Sequence, residues 1–213
     1  MPLQRIGFKL YLITDRKLFS STASFVKSVG EALAAGVKAV QLREKDLPTR
    51  ELLDMSYKFR DLTTRFDAKL FINDRLDIAL SVSADGIHVG RSGIPIREIR
   101  RIAGDRLMIG CSTHSVTEAI EAERDGADFI TFGPLYPTPA KLKFGEPVGL
   151  DSLREAKKEV GLTIFGIGGI KSENIKDVIN SGASGVALIS GILSMSDVAL
   201  AALEYLKKVG ERR

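Results

Sequence analysis

Three polar side chains alternate along one short segment and together suit an anion. Gln41, Arg43 and Lys45 stand two residues apart, so an extended backbone places them on one face. An amide and two cations on one face can bind a phosphate or diphosphate. The alternative is a surface ion-pair patch in which Glu44 and Asp46 neutralise the two cations.

Two further segments carry groups for metal or proton chemistry. Asn73 and Asp74 are adjacent and can either ligate a hard cation such as Mg²⁺ or cap a following helix. His114 is a candidate general base, because an unperturbed histidine titrates near neutrality; its alternative role is to cap a helix, which Ser115 could do as well. The second histidine, His88, lies inside an apolar run and is predicted to be a packed strand residue.

Glycines near two strand ends predict a phosphate site. The segments 166–169 and 189–191 each combine glycine with a preceding apolar run, and glycine lets backbone N–H groups approach an anion. A third segment, residues 133–147, is rich in proline and glycine and carries Thr138 and Lys141, which can bind phosphate oxygens. Loops of this length in compact domains are usually binding loops or lids.

The elements that position these residues follow from short apolar runs. The runs are residues 10–13, 39–42, 70–72, 86–89, 107–109, 129–132, 163–165 and 185–189. They alternate with segments of helical periodicity at 25–33, 52–62, 116–123 and 175–179. Strands buried on both faces and separated by helices indicate a parallel sheet, and eight such units favour an α/β fold of the (β/α)8 barrel type. The alternative, a doubly wound sheet, would need a glycine fingerprint after the first strand, and residues 12–17 contain no glycine.

Length and composition limit the class of protein. The chain of 213 residues is 44% hydrophobic, which predicts one barrel domain over residues 1–213. The net charge of +4 favours anionic ligands, but without a basic stripe it predicts no nucleic acid partner. The single cysteine, Cys111, indicates a reducing compartment. We therefore expect a cytoplasmic protein with no membrane span, and a homodimer remains open.

Motifs along nearly the whole chain resemble those of the thiamine-phosphate synthase superfamily, which includes thiamine-phosphate synthases and TenI-type thiazole tautomerases. The motifs are YLITD at 11–15, QLREK at 41–45, IND at 72–74, ADGIHVG at 84–90, STH at 112–114, GPLYPT at 133–138, GIGGI at 166–170 and LISGI at 188–192. The resemblance implies a barrel enzyme that acts on small phosphorylated substrates.

For a synthase, the resemblance implies two substrate sites and a metal. The residues that would bind a pyrimidine diphosphate are Gln41, Arg43, Lys45, Asn73, Ser112 and Lys141. The residues that would bind a thiazole phosphate are Thr138, Gly168, Gly169, Ile189 and Ser190. Asp74 would bind Mg²⁺. Departure of pyrophosphate would leave a carbocation-like centre for the thiazole nitrogen, so cations must neutralise the leaving group.

The chain departs from the synthase pattern at two positions. Gly93 stands where synthases have a second metal-binding aspartate, and Ala140 replaces a hydroxyl residue. The segment 141–150 resembles the tautomerase branch. We therefore expect a TenI-type thiazole tautomerase, which needs no cofactor, with His114 and Lys45 as catalytic residues. The alternatives are a Mg²⁺-dependent synthase and a non-catalytic phosphate-binding or regulatory protein.

Overall fold

Eight parallel strands form a closed barrel in the part of the chain that the computed structural model describes, residues 6–138 and 146–210. The strands are β1 (Leu10–Ile13), β2 (Ala39–Leu42), β3 (Lys69–Asn73), β4 (Gly86–Val89), β5 (Met108–Thr113), β6 (Phe129–Phe132), β7 (Thr163–Ile167) and β8 (Gly185–Leu188). Each strand pairs with the next, and β8 pairs in parallel with β1. The predicted (β/α)8 barrel is confirmed, and closure excludes the doubly wound sheet.

Helices follow each strand, and four of them overlap the segments whose apolar periodicity predicted a helix. They are α1 (Thr22–Ala34), α2 (Thr49–Arg65), α3 (Leu76–Ser81), α4 (Ile96–Ala103), α5 (Val116–Arg124), α6 (Gly149–Glu159), α7 (Ile175–Asn180), α8 (Ser190–Leu193) and α9 (Val198–Val209). Gly36, Gly126 and Gly182 follow α1, α5 and α7 with φ of 115°, 95° and 106°, a conformation that favours glycine at helix ends. Within the described ranges, no helix has the length and apolar character needed to cross a membrane.

Alternation along the strands divides the apolar residues into two cores. Leu10 and Leu12 pack outward against the helices, whereas Tyr11 and Ile13 belong to the barrel interior. Phe8 closes the interior at the amino ends of the strands and stacks on Phe165, with 5.1 Å between ring centroids. The barrel is therefore a packed core and not a pore.

Polar residues replace apolar ones where the inward-facing positions reach the carboxyl ends of the strands. Each lies two residues beyond an inward position nearer the amino end of its strand, and so on the same face. They are Gln41 on β2, Asn73 on β3, His88 on β4, Ser112 on β5 and Thr131 on β6. The sequence thus builds an apolar floor below a polar mouth, the end at which barrels of this type carry their active sites.

Candidate active site at the barrel mouth

The end of β2 brings the three alternating side chains to the mouth. Gln41 is buried, and its Nε2 donates to the hydroxyl of Tyr11 at 3.1 Å. Arg43 is half-buried and Lys45 is exposed in the loop beyond the strand. The Nζ of Lys45 lies 3.3 Å from Oδ2 of Asp74, so the segment after β2 meets the carboxylate that follows β3.

Asp74 is held as an ionised carboxylate by its neighbours. Its Oδ1 accepts the Gly90 N–H at 3.0 Å, and its Oδ2 accepts the Asn73 amide at 2.8 Å. Partial burial alone would raise the pKa of Asp74, but the Gly90 N–H and the charge of Lys45 outweigh it and hold the pKa below its usual value. Asp74 also has a φ of 57°, which is uncommon for a residue with a side chain and marks a constrained position.

The same region fits a magnesium ion only through a small number of protein ligands. A Cβ built on Gly93 would lie 2.9 Å from Oδ1 of Asp74, so the backbone at 93 packs directly against that carboxylate. No group of three or more His, Cys, Asp or Glu side chains over 6–138 and 146–210 could hold a metal. Magnesium commonly takes one or two carboxylates and completes its shell with phosphates and water, and Asp74 meets that minimum.

A neutral histidine and two hydroxyls continue the wall of the mouth from β4 to β6. Nε2 of His88 is 3.0 Å from Oγ of Ser112, and Oγ1 of Thr131 is 3.5 Å from the same atom. Burial lowers the pKa of His88 to about 3, so the ring is neutral. His88 is a packed strand residue as predicted, but it also contacts Ser112, which sequence reasoning had placed in the substrate site.

His114 lies at the rim, at the start of α5. Its N–H donates to Oε2 of Glu118 at 2.7 Å, and its Nδ1 is 3.2 Å from the same oxygen. Ser115 is the N-cap of α5 and accepts the Glu118 N–H at 3.2 Å. His114 and Glu118 therefore form part of the helix start that the alternative interpretation described.

Glycine backbone builds the other half of the mouth. Gly168 and Gly169 have φ of 93° and 64°, and a Cβ on Gly168 would meet Pro134 Cβ at 2.5 Å. The Tyr136 N–H donates to the Gly168 carbonyl at 3.1 Å, so the segments after β6 and β7 are packed together. Only glycine permits this approach.

The remaining predicted phosphate-site residues flank those glycines. Ile189 and Ser190 follow β8, where Ser190 begins α8. Thr138 is half-buried at the end of the described part of its loop. Lys141 and Ala140 lie outside the described residues.

Sequence reasoning missed a buried group beside the β2 segment. Glu44 is only 4% exposed, and its carboxylate accepts the hydroxyl of Thr14 at 2.6 Å. The surface patch suggested for Glu44 and Asp46 is therefore wrong for Glu44, although Asp46 does form exposed pairs with Arg16 and Lys17. The sequence did indicate this. Glu44 lies between Arg43 and Lys45, and in an extended segment it must therefore face away from the side that they share.

Comparison with known proteins agrees with this geometry. The sequence model described as thiamine monophosphate synthase matches residues 10–192. A putative thiamine-phosphate synthase of Geobacter sulfurreducens is 49% identical over 92% of this chain and 91% of its own length. The chain belongs to the thiamine monophosphate synthase family. A thiamine-phosphate synthase of Pyrococcus abyssi is 41% identical over 97% of each chain.

Solved structures support the same family and fold. Thiamine phosphate pyrophosphorylase from Pyrococcus furiosus superposes with a TM-score of 0.86 at 40% identity and covers 96% of each chain. A 3-hexulose-6-phosphate synthase, at 20% identity and a TM-score of 0.70, shares the fold alone.

These relatives correct the expected activity. The tautomerase expectation is wrong, because relatives at 40–49% identity over most of the chain are named thiamine-phosphate synthases. That expectation gave Gly93 too much weight, since magnesium can be bound through few protein carboxylates. His114 did not distinguish a tautomerase from a synthase. Its contacts with Glu118 are those of a residue at the start of a helix. The resemblance to the superfamily itself is confirmed.

Proposed function

We propose that this chain is a thiamine-phosphate synthase, a transferase that joins a pyrimidine diphosphate to a thiazole phosphate and releases pyrophosphate. The single observation that carries the proposal is the 3.3 Å contact between Lys45 Nζ and Asp74 Oδ2. It places a cation and an ionised carboxylate side by side at the mouth of a family member. Such a pair suits a magnesium diphosphate, whose negative oxygens need cations and whose metal needs a carboxylate.

The pyrimidine diphosphate is proposed to bind along β2, β3 and β5. Arg43 and Lys45 bind the diphosphate oxygens with Asn73 and Lys141, while Gln41 and Ser112 bind the pyrimidine. Gln41 and Ser112 fit this role because each is fixed by a buried partner, Tyr11 and His88 respectively. Polar side chains locked by neighbours orient a ring with little loss of rotamer entropy on binding.

The reaction needs stabilisation of a leaving group and a positioned nucleophile. The bond between the pyrimidine methylene carbon and the diphosphate oxygen breaks, and a bond from the thiazole nitrogen to that carbon forms. Arg43 and Lys45 offset the charge that develops on the departing oxygen. When bound at Asp74, Mg²⁺ would add electrostatic stabilisation of the same diphosphate.

The thiazole phosphate is proposed to bind at the glycine side of the mouth. Backbone N–H groups near Gly168, Gly169 and Ser190 donate hydrogen bonds to the phosphate, and Ile189 and Thr138 complete the binding site. Holding both substrates in one mouth converts a bimolecular reaction into one within a complex. Residues 1–213 are proposed to act as a single domain, because both substrate sites lie in one barrel.

The test is direct reconstitution of the reaction. Purified protein would be incubated with hydroxymethylpyrimidine diphosphate, thiazole phosphate and Mg²⁺, and thiamine phosphate and pyrophosphate would be quantified. We expect equal amounts of both products, loss of the reaction with a chelator, and strong reduction in Lys45→Ala. Binding of both substrates without any product would overturn the proposal and favour the non-catalytic alternative.

A further inference from the structure

The loop that carries Arg43 and Lys45 is anchored by groups that lie outside the substrate site. Beyond the end of β2, backbone pairing with β1 stops after Thr14 N–H donates to the Gln41 carbonyl at 2.9 Å. The next inward residue, Arg43, donates its N–H to the side chain of Thr14, with 2.9 Å between N and Oγ1. The Thr14 hydroxyl thus extends the ladder past the last strand residue.

The carboxylate of Glu44 fixes the orientation of that hydroxyl. A hydroxyl has one proton, and Thr14 gives it to Oε1 of Glu44 at 2.6 Å, which leaves a lone pair for the Arg43 N–H. The two oxygens of Glu44 also accept the Arg16 N–H, each at 3.2 Å. Glu44 therefore joins the loop after β2 to the loop after β1 through the hydrogen bond from the Thr14 hydroxyl and the two from the Arg16 N–H.

Burying the carboxylate of Glu44 costs free energy of folding. Burial raises the pKa of Glu44, and hydrogen bonds from Thr14 and Arg16 oppose that effect only in part. A buried carboxylate at this place is a weak source of stability compared with an apolar residue. Its hydrogen bonds to Thr14 and Arg16 do, however, fix the position of Glu44 in the loop. The residues on either side of it in the sequence are Arg43 and Lys45.

We propose that Glu44 and Thr14 are positioning residues for the diphosphate site, acting through Arg43 and Lys45 without contacting substrate. Glu44 holds the loop on the β1 side, and Lys45 meets Asp74 on the β3 side. The two cations are thereby held before the ligand arrives. This inference rests on the proposed function for the identity of the diphosphate substrate, but its binding readout does not require turnover.

The test measures anion binding in matched variants by calorimetry, with inorganic pyrophosphate and Mg²⁺ as the probe. Thr14→Val keeps the shape of the side chain but removes the hydroxyl, and Glu44→Met keeps the length but removes the acceptor. We expect pyrophosphate affinity to fall about 10- to 100-fold in both, since the loss of one well-placed hydrogen bond to a charged group changes affinity by about this much. Thr14→Ser should restore affinity to within about threefold, because it retains the hydroxyl.

The controls separate positioning from a general loss of structure. Asp46→Asn removes only the exposed pairs with Arg16 and Lys17 and should leave pyrophosphate affinity unchanged. Thiazole phosphate affinity should also stay unchanged in all variants, because that ligand binds on the far side of the mouth. If Glu44→Met does not fold, Thr14→Val and Glu44→Gln carry the comparison.

Distinct outcomes count against the two proposals. Unchanged pyrophosphate affinity in Thr14→Val, or equal weakening of both ligands, would overturn the positioning role. A wild-type protein that binds pyrophosphate but forms no thiamine phosphate would overturn the proposed synthase while leaving the positioning test valid. In an active enzyme, Thr14→Val should raise the KM for the pyrimidine diphosphate and lower kcat, because Arg43 and Lys45 are proposed to offset charge on the leaving group, while the KM for the thiazole phosphate stays unchanged.

Discussion

On the β2 to β4 side of the mouth, charged side chains of Arg43, Lys45 and Asp74 face the site, whereas on the β7 to β8 side the site is formed by glycine backbone. On the charged side, Asp74 accepts the Gly90 N–H and pairs with Lys45. The glycine side is held by close packing of one loop on another, as Gly168 on Pro134 illustrates. Both sides are proposed to bind phosphate groups, so one ligand chemistry is met by two structural solutions.

The difference predicts different responses to substitution. Where side chains bind the anion, a substitution removes one interaction and leaves the backbone in place, so ligand affinity or rate changes more than stability. Where backbone binds the anion, any added side chain must move the loop, so stability and binding change together.

The largest effect is expected for Asp74→Asn on the charged side. The substitution keeps the shape but removes the carboxylate proposed to bind Mg²⁺, and we expect kcat/KM for the pyrimidine diphosphate to fall about 10²- to 10³-fold, as for loss of other transition-state electrostatic groups. The free energy of unfolding should also fall, but by less than the activity does, because the carboxylate accepts the Asn73 amide and pairs with Lys45. Steady-state assays at saturating thiazole phosphate measure the fall, with Asp46→Asn as the control. An activity within threefold of wild type would remove Asp74 from the proposed mechanism.

Next in size is Gly168→Ala on the glycine side. The new Cβ would lie 2.5 Å from Pro134 Cβ at a φ of 93°, so we expect a loss of about 2–4 kcal/mol in the free energy of unfolding. Gly149→Ala is the matched control, because Gly149 has a φ of 75° but nothing within 4 Å of a Cβ. It should cost only about 1 kcal/mol. Equal losses in urea unfolding of the two variants would contradict the packing argument.

A smaller effect concerns His88, which lies beside Ser112. Its folded pKa of about 3 is below the ordinary value of 6.5, so the unfolded chain binds the extra proton first as pH falls. Stability should therefore be fully present above pH 6.5 and decline below it, by about 2 kcal/mol at pH 5. In His88→Gln this part of the decline should vanish. Urea unfolding at pH 7.5 and 5 measures it, and parallel declines in both proteins would contradict it.

Most of the fold could be predicted because short apolar runs and helical periodicity are local signals. The ends of two strands were predicted wrongly, and each error has a physical cause. β5 runs to Thr113 and not to Ile109, because Gly110 and Ser112 interrupt the apolar run. β8 stops at Leu188, because Ile189 adopts a φ of −118° and a ψ of −90° at the start of α8.

The site could be predicted in part for a similar reason. Alternation predicted one face for Arg43 and Lys45, and the barrel brings Lys45 within 3.3 Å of Asp74. The Thr14 to Glu44 hydrogen bond joins residues 30 apart in sequence, and no local pattern reports such a contact. The activity was misjudged because Gly93, Ala140 and the segment 141–150 were weighed above motifs that span the chain.

The smallest expected effect is the response of substrate binding to salt. The side chain of Lys45 is 50% exposed, so its attraction to a diphosphate is screened by ions, with a Debye length of about 10 Å at 0.1 M and about 3 Å at 1 M. Glycine N–H groups act at hydrogen-bond distance, where screening is weaker. Raising KCl from about 0.05 to about 0.5 M should therefore raise the KM for the pyrimidine diphosphate about threefold and the KM for the thiazole phosphate by less. Because both ligands are anions in the same mouth, equal increases would mean that the two sides bind phosphate by the same long-range charge, and the distinction between side-chain and backbone recognition would fail.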